Sequence, residues 1–271
     1  LRKMGYWNGG IYPDNNIGNN PLISKPLGDP SACVYDNKMF LYGKRDTRDG
    51  IVRDTSWSCI SSTDLESWNY HGNIFELSDI PWAKSHAWAP DAVHKDSTYY
   101  LYVPCVDSSG EWGTAIGTSS NPEGPFSYED SLRIHDYDPS IFIDDTGQAY
   151  IYYTYRLAKL GDNMTSIEGD LKYRDDYLNG GPLDRDKYDT WENPYVFERN
   201  GTYYYLLSVF QKDGDGVDWE KGQTVHYWTG DSPTGPFYYQ DSIYTPQEGN
   251  CGASATKYGG QWYFAYHTRY Y

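Results

Sequence analysis

Three carboxylates stand at equivalent places of a repeated sequence pattern. Asp29, Asp138 and Glu192 each lie one or two residues before a proline that opens a short apolar run. Three acids on one axis repel one another and raise at least one pKa, a cost that folding alone gives no reason to accept. One protonated and one ionised carboxylate are what glycoside hydrolysis requires, the first to protonate the leaving oxygen and the second to activate water. We therefore predict that the three acids form a catalytic set.

The repeat that carries these acids has the strand–turn–strand pattern of a β-hairpin, with Asp, Asn or Gly in the turn. Its prolines stand at positions 30, 90, 139 and 194, and an alanine takes the matching place at 253. The five units are DPSACVYDNKMFLYG, APDAVHKDSTYYLYV, DPSIFIDDTGQAYIYY, ENPYVFERNGTYYYL and CGASATKYGGQWYFA. A strand-rich repeat of about 50 residues is typical of a β-propeller.

These units predict an all-β protein, with residues 1–271 forming a single five-bladed β-propeller of four strands per blade. Modules appended to this domain in a longer chain remain compatible with the pattern. The first strand of each blade lines the central channel, so the unit openings form a ring at one mouth. Asp91 stands after its proline rather than before it. We expect its side chain to point away from the other three acids and to have a structural role.

Composition limits the classes of partner. The net charge of −16 argues against binding to nucleic acid, because phosphate contacts depend on Lys and Arg. No apolar run approaches the roughly 20 residues that span a bilayer, so no membrane association is expected. The four cysteines stand singly and far apart, which predicts buried free thiols rather than a zinc site. No signal peptide is visible, and the sequence does not distinguish an extracellular from a cytoplasmic protein.

Five stretches together resemble glycoside hydrolase family 43: GDPSACVYDNKMFLYG, HAWAPDAVHKDSTYYLYVP, YDPSIFIDDTGQAYIYY, WENPYVFERNGTYYYL and GGQWYFAYH. The resemblance implies that Asp29 is the general base and Glu192 the general acid, and that Asp138 orients the acid and tunes its pKa. It implies inversion of configuration, which agrees with carboxylates on different blades of a ring. It implies no cofactor for the chemistry, and it places Trp88 of the WAPD element near the sugar-binding pocket.

The fifth unit departs from the family pattern. Gly252 stands where relatives often carry a histidine, whereas His267 matches the histidine that ends the last strand. The resemblance implies that His267 binds substrate or a structural calcium ion in the channel, and an uncharged His267 bonded within the channel is the alternative. Arg269 is expected to hold a carboxylate or a sugar hydroxyl, with a surface salt bridge as the alternative. Four tryptophans are predicted to be core residues rather than sugar platforms: Trp57, Trp68, Trp112 and Trp262.

The resulting prediction is a glycosidase that releases a pentose from plant hemicellulose, with α-L-arabinofuranosidase as the first expectation. A β-1,4-xylosidase or an arabinanase on the same fold is the alternative within this class. A non-catalytic carbohydrate-binding propeller is the alternative from another class, and the complete acid set argues against it. The expected partners are arabinoxylan, arabinan and xylooligosaccharides.

Overall fold

The computed structural model describes residues 2–7, 27–45, 55–183, 188–213, 216–217, 223–243 and 252–268. These residues form five β-sheets and two single-turn 3-10 helices, Leu77–Asp79 and Arg174–Asp176, so the predicted all-β class is confirmed. Within this part of the chain, no helix is long and apolar enough to cross a membrane.

The strands follow the sheets in chain order, except that β1 (Arg2–Trp7) joins the last sheet. The first sheet contains β2 (Gly28–Tyr35), β3 (Lys38–Lys44), β4 (Ser56–Ser62) and β5 (Asn69–Glu76). The second contains β6 (Ala83–Ser85), β7 (Asp91–Lys95), β8 (Thr98–Asp107), β9 (Trp112–Ser119) and β10 (Ser127–Leu132).

The third sheet contains β11 (Ser140–Ile143), β12 (Ala149–Tyr152), β13 (Arg156–Leu160) and β14 (Ile167–Tyr173). The fourth contains β15 (Leu178–Asn179), β16 (Tyr188–Arg199), β17 (Thr202–Asp213), β18 (Gly216–Val217), β19 (Gln223–Gly230) and β20 (Phe237–Ile243). The fifth contains β21 (Ala253–Tyr258) and β22 (Gln261–Thr268), with β1 parallel to β22.

Each of the five repeat units forms the antiparallel hairpin that the sequence predicts. The turn residues explain three of these hairpins directly. Residues 36–37, 200–201 and 259–260 all have positive φ angles, between 47° and 81°. Two consecutive positive φ angles define the type I′ turn, whose twist matches that of the flanking strands, and Asn, Asp and Gly tolerate it best.

Apolar side chains fill the spaces between neighbouring sheets. Within the described residues, each of five apolar clusters contains residues from two adjacent sheets. Representative pairs in order round the ring are Trp57 with Leu101, Ile116 with Ile151, Tyr152 with Trp228, Leu206 with Phe264, and Leu41 with Ala265. The inner strands β2, β7, β11, β16 and β21 also contact one another in cyclic order. This arrangement is a β-propeller.

Tyrosine hydroxyls link successive sheets at matching positions of the repeat. Three fully buried tyrosines donate to backbone carbonyls in a loop of the next sheet: Tyr42 to Pro122, Tyr102 to Met164 and Tyr152 to Pro233. A buried hydroxyl must be hydrogen-bonded to avoid a desolvation cost, and each tyrosine ring also adds apolar area to the core. The abundance of tyrosine therefore serves the packing of the sheets.

The predicted count of five complete blades is wrong. In the described part of the chain, four sheets have the four or more strands of a complete blade, and the sheet built from the fifth unit has three. The reason is the origin of its outer strand. The hairpin β21–β22 receives β1 from the N-terminal side of the chain, instead of two further strands from its own repeat.

The predictions for buried side chains are confirmed for Cys59, Cys105 and Trp57. Cys59 and Cys105 are buried free thiols, Cys33 is free and half-buried, and Cys251 lies outside the described residues. Trp57 is fully buried in the core. Trp68 and Trp262 are half-buried and pack against two of the apolar clusters.

Candidate active site

The backbone adopts the same unusual conformation at three openings of the repeat. Asp29, Asp138 and Asn193 each stand directly before a proline and have φ angles of 49°, 53° and 52°. Residues other than glycine rarely take positive φ, and Asp and Asn accept it most readily because their side chains bond locally. Strained backbone of this kind is concentrated at functional sites. Glu192 lies one residue before the equivalent position, so its carboxylate enters the ring beside Asn193.

Asp29 is buried beside Lys44 and His267. The residue is only 6% exposed, and its Oδ2 atom is 3.1 Å from Nζ of Lys44, which is itself 8% exposed. The Asp29 backbone N–H donates to Nδ1 of His267 over 2.9 Å. A nitrogen that accepts a hydrogen bond carries no proton, so His267 is the neutral tautomer with its proton on Nε2. Its 3.3 Å contact with the Asp29 carboxylate is therefore no ion pair.

Asp138 and Glu192 form a second buried group beside Asp29. Asp138 Oδ2 accepts the backbone N–H of Asn193 over 3.1 Å, and Glu192 Oε1 accepts Nε2 of Gln223 over 2.5 Å. Burial raises the pKa of Asp138 well above its usual range, and the carboxylates of Glu192 and Asp29 raise it further. Repulsion between these carboxylates favours a proton retained among them.

Asp91 lines the same narrow channel as Asp29 and Asp138. Its contacts are those of a structural group, as the sequence predicts. Oδ1 accepts the hydroxyl of Ser31 on β2, and Oδ2 accepts the backbone N–H of Ile141 on β11 over 2.5 Å. Burial raises the pKa of Asp91 to about 7. Asp91 thus joins the inner strands of three sheets.

A half-exposed aromatic cluster flanks the acids. It contains Trp88, Trp112 and Tyr137, with ring centroids 4.8 Å apart for Trp88–Trp112 and 5.3 Å apart for Trp112–Tyr137. His86 and Tyr155 pack at its edges. Burial raises the pKa of Tyr137, and the nearby Tyr155 and Asp138 raise it further. Trp88 contacts Tyr137, the neighbour of Asp138. The prediction that Trp112 is a core residue was wrong, because its ring joins this half-exposed cluster.

The side chains present do not fit the calcium ion implied for the channel. Nδ1 of His267 is occupied by the Asp29 N–H, and Nε2 carries the proton, so neither nitrogen offers a lone pair to a cation. A Cβ atom on Gly252 would lie 2.3 Å from Asp29 Oδ1, so this position has no room for a ligating side chain. Among the residues described, no group of three His, Cys, Asp or Glu side chains is placed to hold a metal.

Sequence reasoning missed Lys44, Gln223 and the role of Trp112. Lys44 pairs with Gly28, the neighbour of Asp29, in the β2–β3 hairpin, and this contact depends on the strand register. Gln223 and Trp112 open outer strands far from any repeat opening, so no local pattern marks them. Arg269 lies outside the described residues.

Comparison with known proteins identifies the family. The model for glycosyl hydrolases family 43 matches residues 18–271. The chain belongs to this family. The resemblance seen in the sequence is thereby confirmed, and the chain is a glycoside hydrolase by family.

Relatives and solved structures agree with this assignment. The chain is 28% identical to a xylosidase/arabinosidase of Humicola insolens, covering 91% of this chain and 89% of that protein. It is 30% identical to a β-D-galactofuranosidase of Aspergillus niger, covering 94% and 78%. A family 43 β-xylosidase/α-arabinofuranosidase from a compost metagenome, solved with xylotriose in a calcium-free form, superposes with a TM-score of 0.77 at 27% identity, covering 90% and 86%.

Proposed function

We propose that this family 43 enzyme releases a pentose from plant hemicellulose, and that α-L-arabinofuranose is the preferred sugar. The observation that carries the proposal is the buried acid set at the channel mouth: Asp29 beside a cation, and Asp138 paired with Glu192. Relatives named xylosidase/arabinosidase and arabinoxylan arabinofuranohydrolase support the substrate class. Arabinoxylan, arabinan and xylooligosaccharides are the polymers and oligomers to test.

In the proposed mechanism, Asp29 is the general base and Glu192 the general acid. Ionised Asp29 accepts a proton from the attacking water, while Glu192 protonates the leaving oxygen. Gln223 occupies Oε1 of Glu192, so the proton to be donated lies on Oε2. Asp138 shares that proton and keeps it in the pair at the working pH, because two adjacent carboxylates resist carrying two negative charges. No cofactor takes part in these steps.

We further propose that hydrolysis inverts the anomeric centre. Asp29 and Glu192 come from non-adjacent sheets, which favours the wide separation that leaves room for water between acid and base. Proton NMR of the first-formed sugar tests this step. Release of the retained anomer would mean that the roles of the carboxylates are misassigned.

The sugar at the reacting position is best determined by a substrate panel. Nitrophenyl α-L-arabinofuranoside, β-D-xyloside and β-D-galactofuranoside should be compared with arabinan and arabinoxylan. The galactofuranoside is included because a galactofuranosidase is 30% identical, and its ring has the configuration of α-L-arabinofuranose. We expect the highest kcat/KM on the arabinofuranoside. A preference for the xyloside would instead assign a β-xylosidase, and endo cleavage of arabinan an arabinanase.

Trp88, His267 and Arg269 are proposed as substrate contacts around this sugar. Trp88 is half-exposed within the aromatic cluster that flanks the acids, and aromatic faces pack against the apolar face of a sugar ring. Buried His267 lies beside Asp29, whose backbone N–H it accepts at Nδ1. A binding-only propeller is the alternative, and it predicts that the wild type binds these sugars without hydrolysing any of them.

We also propose that residues 1–271 form one domain that includes the three-stranded sheet. The apolar clusters on both sides of this sheet support the proposal, as do the contacts of β21 with β2 and β16. Calorimetric unfolding in a single cooperative transition is the expected result. Two separate transitions would contradict it.

A further inference from the structure

Lys44 is a buried cation at the mouth of the channel. Its residue is 8% exposed, and its Nζ atom lies 3.1 Å from Asp29 Oδ2. A buried ammonium group loses its hydration and is tolerated when a carboxylate compensates it. The β2–β3 hairpin fixes this contact, because Lys44 at the end of β3 pairs with Gly28 beside Asp29.

Among the residues that the structure describes, the other groups shown to face Asp29 supply no positive charge. His267 on β22 is neutral, since its Nδ1 accepts the Asp29 N–H. Asp138 before β11 raises the negative charge of the site, and Asp91 on β7 lines the same channel. Glu192 on β16 raises the pKa of Asp138. Lys44 therefore brings a positive charge into a cluster of acids and places it against one of them.

We propose that Lys44 is a positioning residue that holds Asp29 ionised, so that the proton shared by the acids rests on the Asp138–Glu192 pair. An opposite charge this close favours the ionised form of a carboxylate. The inference rests on the proposed role of Asp29 as general base. It explains how three neighbouring carboxylates divide two tasks that require opposite protonation states.

The direct test is the dependence of kcat/KM on pH in Lys44→Met and Lys44→Arg, with the aryl glycoside that the wild type cleaves best. Methionine keeps most of the length of the side chain and removes its charge. We expect Lys44→Met to move the acid limb of kcat/KM to higher pH by about one unit or more. For each unit of this shift, kcat/KM at pH values below the limb should fall roughly tenfold. Lys44→Arg should return the limb towards its wild-type position. An unmoved limb, or an equal loss at every pH, would overturn the proposal.

A second test does not depend on activity. Melting temperatures of the wild type, Lys44→Met, Asp29→Asn and the double variant form a double-mutant cycle. Lys44→Met should lower the melting temperature less in the Asp29→Asn background, because the carboxylate that needed the cation is gone. Additive losses would show that the two charges are not coupled. A wild type inactive on every glycoside would refute the proposed function, whereas coupling in the cycle would still establish the ion pair.

Discussion

Asp91 and Asp138 are both aspartates at the openings of two successive repeat units. They are buried to nearly the same extent, with 3% and 4% exposure. Both stand beside the proline that opens an inner strand. Asp91 follows its proline, and both of its oxygens accept hydrogen bonds from neighbouring inner strands. Asp138 precedes its proline, takes a left-handed backbone conformation, and faces two other acids.

The difference shows that the side of the proline decides what a carboxylate does in this fold. Before the proline, the acid lies at the mouth of the channel, where burial and neighbouring like charges raise its pKa. After the proline, it lies in the channel wall, where backbone and hydroxyl donors of adjacent strands occupy it. Mutations can therefore separate a loss of chemistry from a loss of stability.

The largest effect is expected at the mouth, in Glu192→Gln. Removing a general acid costs roughly 10²–10⁴-fold in kcat, and more for substrates with poor leaving groups than for activated aryl glycosides. Glu198→Gln, on the same strand β16, is the matched control and should retain activity. Rates on a nitrophenyl glycoside and a natural oligosaccharide provide the measurement. Equal losses on both substrates would mean that Glu192 is not the acid.

Asp138→Asn and Asp91→Asn should differ in their pH profiles. In the proposed mechanism, Asp138 and Glu192 share a proton, and like-charge repulsion makes them lose it at a higher pH than a lone carboxylate would. Asp138→Asn removes that repulsion, so the alkaline limb of kcat/KM should move to lower pH by about one unit. Asp91→Asn should leave the limb in place. A limb that moves equally in both variants would contradict the comparison.

Asp91 should instead affect stability, and its effect should depend on pH. Leaving a buried donor unpaired costs about 1–3 kcal/mol, so Asp91→Asn should lower the free energy of unfolding by that amount. The folded-state pKa of Asp91 is raised from 3.8 to about 7. The stability due to its protonated form is complete below about pH 4 and is lost as the pH rises through about 7. The advantage of the wild type over Asp91→Asn should therefore shrink across this range.

The control for that measurement is Asp64→Asn. Hydrogen bonds from the backbone of Ser67 and Glu66 lower the pKa of the exposed Asp64 below its usual value, so it titrates at more acid pH. The difference in free energy of unfolding between Asp64→Asn and the wild type should stay constant between about pH 4 and pH 8. Thermal melts at matched ionic strength decide the result, and a constant difference for Asp91→Asn as well would refute the assigned linkage.

The smallest effect is expected in the aromatic cluster. Trp112→Ala should raise KM for an oligosaccharide by up to about tenfold while changing kcat less, because an aromatic contact contributes about 0.5–1.5 kcal/mol. Trp262→Ala is the control, since this half-buried ring of the fifth sheet packs against Phe197 of the fourth sheet. An unchanged KM in Trp112→Ala would restrict the sugar contacts to the remaining rings.

The sequence predicted those features that repeat along the chain. The hairpins, the inner strands and the three acids were found because a proline or a turn marks each of them at a regular interval. The strand count of the fifth sheet was missed, since β1 pairs with β22 from the other end of the chain. Lys44 and Trp112 were missed because their contacts depend on hairpin register and on packing between sheets, which leave no repeated signal.

The left-handed backbone before the prolines has an evolutionary consequence. At Asp29, Asp138 and Asn193 this conformation admits little besides Asp, Asn and Gly. Asp and Asn codons differ by a single nucleotide, so a point mutation can add a negative charge to the ring or remove one while the fold is retained. The strained backbone thus restricts these positions to residues that a single mutation interconverts. The number of ionisable groups at the mouth of the channel can therefore change by one in a single step.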